Sequence, residues 1–153
     1  MSGEKVSKEY ANSIIFDLEK AFWDERGKGA RFRVTNVGRA YFKDKCLPQI
    51  KSNALDEVAG TIGRILQEEG IVDQVDHEQE EQLLRLRVGG CMHHSVEMRM
   101  LEHGVEPFTC IPANLMALAI EDKLKRQVEL TEVSISNGTC EVLLVVFEKR
   151  PGE

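Results

Sequence analysis

Asn137-Gly138 stands between two β-rich runs, "RQVELTEVSIS" and "TCEVLLVVFE". A type I′ turn needs positive φ at both central residues, and Asn-Gly is the pair that meets this need most readily. The dipeptide predicts a two-residue hairpin over residues 126–148. In its register Ile135 faces Cys140 and Val133 faces Val142, which gathers apolar side chains on one face. A helix anywhere in this segment would contradict that reading.

The chain ahead of the hairpin begins with helical periodicity. Tyr10, Ile14, Leu18, Ala21 and Phe22 recur at helical spacing, predicting a first helix from about Lys8 to Arg26 that Gly27 and Gly29 end. Val34, Val37 and Tyr41 share one face of a second, shorter helix closed by Pro48. A third helix carries Leu55, Val58, Ile62, Ile65 and Leu66 inward, with Asn53 as N-cap and Gly70 as its stop. The period then changes. "IVDQVD" and the alternating "QLLRLRV" read as two strands joined through the polar "HEQEE". Gly89 and Gly90 break the second strand. "CMHHSVEMRMLEHG" is predicted to be a fourth helix stopped by Gly104, and Pro112 suits the first turn of a fifth, "PANLMALAIEDKLK". The expected fold is one α+β domain over residues 1–153, of order ααα-ββ-αα-ββ, with helices packed on one face of a four-stranded antiparallel sheet. Two open sheet edges leave room for a homodimer.

This element order resembles the superfamily of 4-vinyl-reductase-type small-molecule-binding domains. A cysteine opens the fourth helix, another precedes the fifth, and a third follows the last turn. Relatives of that superfamily include the aromatic-sensing domains of phenol-responsive activators and the TRAPP-type trafficking subunits. In motif the resemblance lies after Val88: Glu129, Glu132 where the family has a cysteine, Gly138, and Cys140 followed by "EVLLVVF". It implies a pocket between helices and sheet for a small hydrophobic or aromatic molecule. It also implies a structural zinc held by Cys110, Cys140 and Glu129 or Glu132. Phe16, Phe22, Trp23, Phe32, Tyr41 and Phe42 fall in the first 45 residues, as pocket walls or as plain core. The expected ligand-binding set is Phe22, Trp23, Tyr41, His94 and Met98.

Residues 88–110, "VGGCMHHSVEMRMLEHGVEPFTC", concentrate the chemistry, with Cys91, Cys110, His93, His94 and His103. By helical spacing Cys91, His94, Met98 and Leu101 share a face, which should turn toward the apolar layer. His93 and Glu97 share the neighbouring one. A helix start favours anions, so a thiolate at Cys91 or Cys110 should be stabilised there. Three readings follow: a buried structural histidine, a zinc site, or a thiol enzyme. In the last, Cys110 would attack, His94 act as base and Glu97 or Glu129 orient it. His103 should decorate the helix C-terminus, and His77 should be solvated in the acidic loop.

Net charge sets outer bounds. Twenty basic against 26 acidic residues give −6, which argues against a general nucleic-acid binder. The local run Arg26, Lys28, Arg31, Arg33, Arg39, Lys43 and Lys45 reads as a solvated helix face or as a contact for an anion. No apolar run is long enough to span a bilayer, and the first residues lack a signal-peptide core. Cytoplasm is the expected compartment, and there Cys46, Cys91, Cys110 and Cys140 should be free. No phosphate loop, Rossmann fingerprint or Ser-His-Asp pattern singles out an enzyme class. The function expected is therefore a sensory or small-molecule-binding domain, against a thiol- or zinc-dependent hydrolase or reductase and a non-catalytic assembly subunit.

Overall fold

The computed structural model describes residues 6–27, 38–106 and 110–148. Phe32, Val34 and Val37, and the basic residues Lys28, Arg31 and Arg33, lie outside them.

Helix α1 spans Lys8–Arg26, and Ser7 caps it by accepting the Tyr10 N–H at 3.0 Å. A short α2, Arg39–Tyr41, widens into a π-turn over Phe42–Cys46 and tightens into a 3₁₀ turn over Leu47–Gln49. Pro48 has no N–H to give, so the regular ladder stops there, and the Leu47 N–H reaches back to the Phe42 carbonyl. Helix α3, Leu55–Glu68, buries Val58, Ile62, Ile65 and Leu66. Ala54, not Asn53, stands at its N-cap, and its N–H is taken by Ser52 Oγ at 3.0 Å.

Strands β1 (Gln74–Glu80) and β2 (Leu83–Gly89) follow, then helices α4 (His94–Glu102) and α5 (Ile111–Leu124). Strands β3 (Val128–Ser136) and β4 (Thr139–Val146) close the described chain. The first hairpin turns later than expected. His77–Glu80 belong to β1, and the turn is Glu81-Gln82, with Glu81 at φ 54°. An edge strand with one wet face tolerates such polar residues, so apolar alternation understates its length.

The sheet is antiparallel throughout, in the order β1-β2-β4-β3. The last hairpin has the expected register, Val133 opposite Val142 and Ile135 opposite Cys140. Its turn residues Asn137 and Gly138 sit at φ 50° and 78°. Leu84, Leu86 and Val88 on β2 and Cys140, Val142, Leu144 and Val146 on β4 form the covered face. Against it lies α5, buried on nearly every side through Ala113, Leu115, Met116, Leu118, Ala119 and Ile120. Helix α3 packs on α5 and β1. A second, smaller apolar cluster joins Phe16 of α1 to Val96 and Met100 of α4 and to Val105, with Phe22 and Trp23 alongside. None of the described helices is long and apolar enough to cross a membrane.

The four cysteines are free. Gly138→Ala should lower stability by about 1 kcal/mol or more, because alanine must adopt positive φ there. Urea denaturation followed by circular dichroism measures it. An unchanged midpoint would mean that the turn does not hold the register.

Candidate functional site

The site grows from the point where β2 ends. The Asp73 N–H donates to the Gly89 carbonyl and the Met92 N–H to the Ile71 carbonyl, each at 2.9 Å. Gly90 lies at φ 65°, and a Cβ there would come within 2.1 Å of Asp73 Oδ2. Only glycine permits that packing. The tight exit from the sheet carries Cys91 into the core, where its Sγ accepts the His93 N–H at 3.4 Å. His93 takes the N-cap of α4, which sets the phase of the helix.

That phase corrects the expected face. Cys91, His93, Val96, Glu97 and Met100 are buried, whereas Met98 and Leu101 are 41% and 43% exposed. His94 is half-buried, and its Nδ1 has no hydrogen-bond partner within the protein. Spacing grouped His94 with Met98 and Leu101 and His93 with Glu97 correctly, but it buried the wrong face. It also misplaced Cys91, which precedes the helix and packs with His93 and Glu97. A buried glutamate is tolerated only when paired, and Glu97 is paired. Its Oε1 lies 3.4 Å from His93 Nδ1 and accepts the Cys140 thiol at 3.8 Å. His93 Nε2 lies 2.5 Å from Glu19 Oε2 of α1. A polar chain thus runs Glu19–His93–Glu97–Cys140, from the outermost helix through α4 to the sheet. Glu97 Oε2 is buried without a partner, and so represents residual cost in the arrangement.

Electrostatics assigns the protonation states. Burial alone would lower the His93 pKa, but the hydrogen bonds and charges of Glu19 and Glu97 outweigh it and raise the value to about 9. At neutral pH His93 is an imidazolium between two carboxyl groups. The thiols are raised as well, which for them favours the neutral form. Burial, helped by Glu97, pushes Cys91 up to about 11 and Cys140 up to about 12. Cys110, the N-cap of α5, is raised well above its ordinary range by burial first and Glu97 second. The Ala113 N–H lowers it, as a helix start should, yet loses to desolvation. The expected stabilised thiolates are replaced by neutral, packed thiols, a poor starting point for nucleophilic attack.

The structure separates the expected zinc donors. Cys110 and Cys140 are buried, while Glu129 and Glu132 lie exposed on the opposite face of the sheet. A bulge at Thr131 puts both glutamates outward, opposite Val145 and Leu143. Among the described residues no group of three or more His, Cys, Asp or Glu side chains is arranged to hold a metal. The expected ligand-binding residues are also dispersed. Phe22 and Trp23 pack on the α1–α4 cluster, Tyr41 packs on the main core, and Met98 faces outward. His94 lines a cleft of about 510 Å³ with Lys8, Asp73, Gly90, Cys91 and Ser95. A second cleft, of about 570 Å³, runs between α3 and β1 over Gly60 and Gly63.

The other two histidines have structural partners. His77, in β1 and not in the loop, stays partly exposed to solvent and lies 2.7 Å from Asp56 Oδ1. His103 is the C-cap of α4, as expected, and its ring packs 5.2 Å from Phe16. Sequence reading missed the role of Glu19. No local pattern marks a partner 74 positions from His93.

No family model matches this chain, and no curated protein sequence matches it. A solved structure does resemble it. The crystal structure of a trafficking protein particle complex subunit 3 from Naegleria fowleri, covalently bound to palmitic acid, matches with a TM-score of 0.55. The match covers 92% of this chain and 95% of that one at 10% identity, so the likeness is one of fold.

The ionic chain makes stability fall with rising pH. A histidine whose folded pKa is raised contributes fully below its ordinary value near 6.5, and the contribution is lost as pH rises through about 9. Urea denaturation across that window should show falling stability in the wild type. His93→Gln should remove this slope and cost about 3–5 kcal/mol at the acid end, because it strands two carboxyl groups. A slope that persists in the variant would assign the titration elsewhere.

Proposed function

We propose that this chain is a non-catalytic assembly subunit, working through protein contacts in the manner of a trafficking-complex subunit. The observation that carries the reading is the outer face of α1. Val6, Tyr10, Ile14 and Leu18 follow one another at four-residue steps just before and along the helix, 71%, 63%, 41% and 67% exposed. Residues four apart are neighbours on a helix surface, so the four make one apolar stripe. Phe16, Phe22 and Trp23 already hold α1 to α4, so the stripe is not needed for the fold of the chain itself. An apolar stripe of this length on a soluble surface marks a contact site, and a helix of another subunit with a similar stripe fits it.

The fold likeness to a trafficking subunit supports the same reading, since it extends over nearly the whole of both chains. The neutral thiols of Cys91, Cys110 and Cys140 and the paired His93 favour this reading over a thiol enzyme built on these described residues.

A second reading adds a hydrophobic ligand to the same role. Cys91 lines the 510 Å³ cleft, and the structural relative carries a covalently bound palmitic acid. In this reading Cys91 holds an acyl chain as a thioester. Intact mass measurement of protein from its native source, before and after neutral hydroxylamine, tests it. A mass that hydroxylamine leaves unchanged removes the reading.

Tyr10→Asp/Leu18→Asp should keep the helix content and melting temperature of the wild type, since exposed positions tolerate substitution within about 0.5 kcal/mol. On size-exclusion chromatography of cell extract, the wild type should elute in an assembly larger than a monomer, and the double variant as a monomer. Co-elution of variant and wild type would rule out the α1 contact.

A further inference from the structure

The face of the sheet turned away from the helices carries its own pattern. No described helix lies against it. Across its middle the register aligns Glu78, Arg85, Leu143 and Glu132 from β1 to β3, and next to them Glu80, Leu83, Val145 and Glu129. Each row ends in a carboxylate on both edge strands. Between the carboxylates lie Leu83 (37% exposed) and the half-buried Leu143 and Val145, and Phe147 continues the apolar surface at 39% exposure.

Neighbouring strands are about 4.8 Å apart, so the two acidic columns stand roughly 14 Å from each other. An α-helix with side chains measures about 10–12 Å across. A helix laid along β2 and β4 would bury an apolar stripe on Leu83, Leu143 and Val145. Its basic side chains on either flank would reach the acids of β1 on one side and of β3 on the other. In the nearby row Arg87 lies 2.8 Å from Glu141, which leaves Asp76 to extend the acidic column of β1. In the first two rows Arg85 is the single charged residue between the acidic columns, directly opposite Glu78.

We infer that this open sheet face docks an amphipathic helix of a partner protein, with an apolar stripe bordered on both sides by lysine or arginine. The apolar middle supplies the buried area, and the two acidic margins fix the orientation and exclude acidic helices. An anionic membrane is the wrong occupant for such a face, because the margins repel it. The site extends the assembly reading to a second surface, on the opposite side of the sheet from the helical layer.

The probe is a fluorescein-labelled helical peptide of leucine and lysine, roughly 18 residues or five turns long, with lysines flanking one leucine stripe. Its counterpart has glutamate in place of lysine. Fluorescence anisotropy should show the lysine peptide binding the wild type and the glutamate peptide failing to bind. Glu78→Lys/Glu132→Lys should weaken the lysine peptide roughly tenfold or more and gain binding to the glutamate peptide. Leu143→Ser should weaken both pairings. Tyr10→Asp/Leu18→Asp should leave peptide binding unchanged, which separates this face from the α1 contact. Lysine-peptide affinity unaffected by the charge reversal overturns the inference. So does equal loss on reversing Glu9 and Asp17 of α1, or binding of phosphatidylserine vesicles in place of the peptide.

Discussion

Helix α5 is apolar around almost its whole circumference, and a helix of that kind must be covered on every side. The sheet covers one side through β3 and β4, while α3 and the π-turn after α2 cover others. Each of those elements offers a single apolar face, so each has one place to go. The turn chemistry and the hairpin registers then decide details within an arrangement that α5 already demands. Polar Asn114, buried near the start of the helix, has a partner of its own and does not interrupt the pattern.

The α1–α4 pair stands apart from this arrangement. Its apolar cluster is small and distinct from the main core, and a charged chain fastens it to the sheet. Arg99 stacks over Phe16 at 4.1 Å, and Asn12 donates to Ser95 Oγ at 2.8 Å. Local opening free energies follow buried apolar contact, so α1 should be the first described helix to detach. Surfaces used for assembly belong on such an element. In the proposed assembly the rigid part of the domain would present its sheet to one partner and α1 to another, and neither contact would need the core to move.

What the sequence made legible followed from repetition. Leu84, Leu86 and Val88 announce a half-buried strand at every second position, and Asn137-Gly138 fixes a register by the sterics of two residues. The bounds of α1 are likewise written in local spacing and in Gly27, which ends the helix. What stayed hidden depended on distant partners. Glu97 is buried and Met98 exposed, the reverse of their hydropathy, because His93, held in place by the remote Glu19, stands beside Glu97 and offsets the cost of burying it. The thiols of Cys91 and Cys110 sit at helix starts, yet burial decides their state, and burial is a property of the assembled fold. Glu129 and Glu132 keep motif-like spacing in the chain, but a one-residue bulge turns both to the face away from Cys140.

The strand order carries a consequence for synthesis. Strand β2 pairs on one side with its sequence neighbour β1 and on the other with β4, whose partner residues run from Thr139, opposite Gly89, to Val145, opposite Leu83. A nascent chain that has made α3 and the first hairpin therefore holds Leu84, Leu86 and Val88 beside an unpaired strand edge while α4, α5 and β3 are still to come. Such an edge invites pairing with another chain, and non-local closure of this kind is slow. The central seam of the sheet is the last part that can form. Until β4 has left the ribosome, this domain depends on protection from its neighbours.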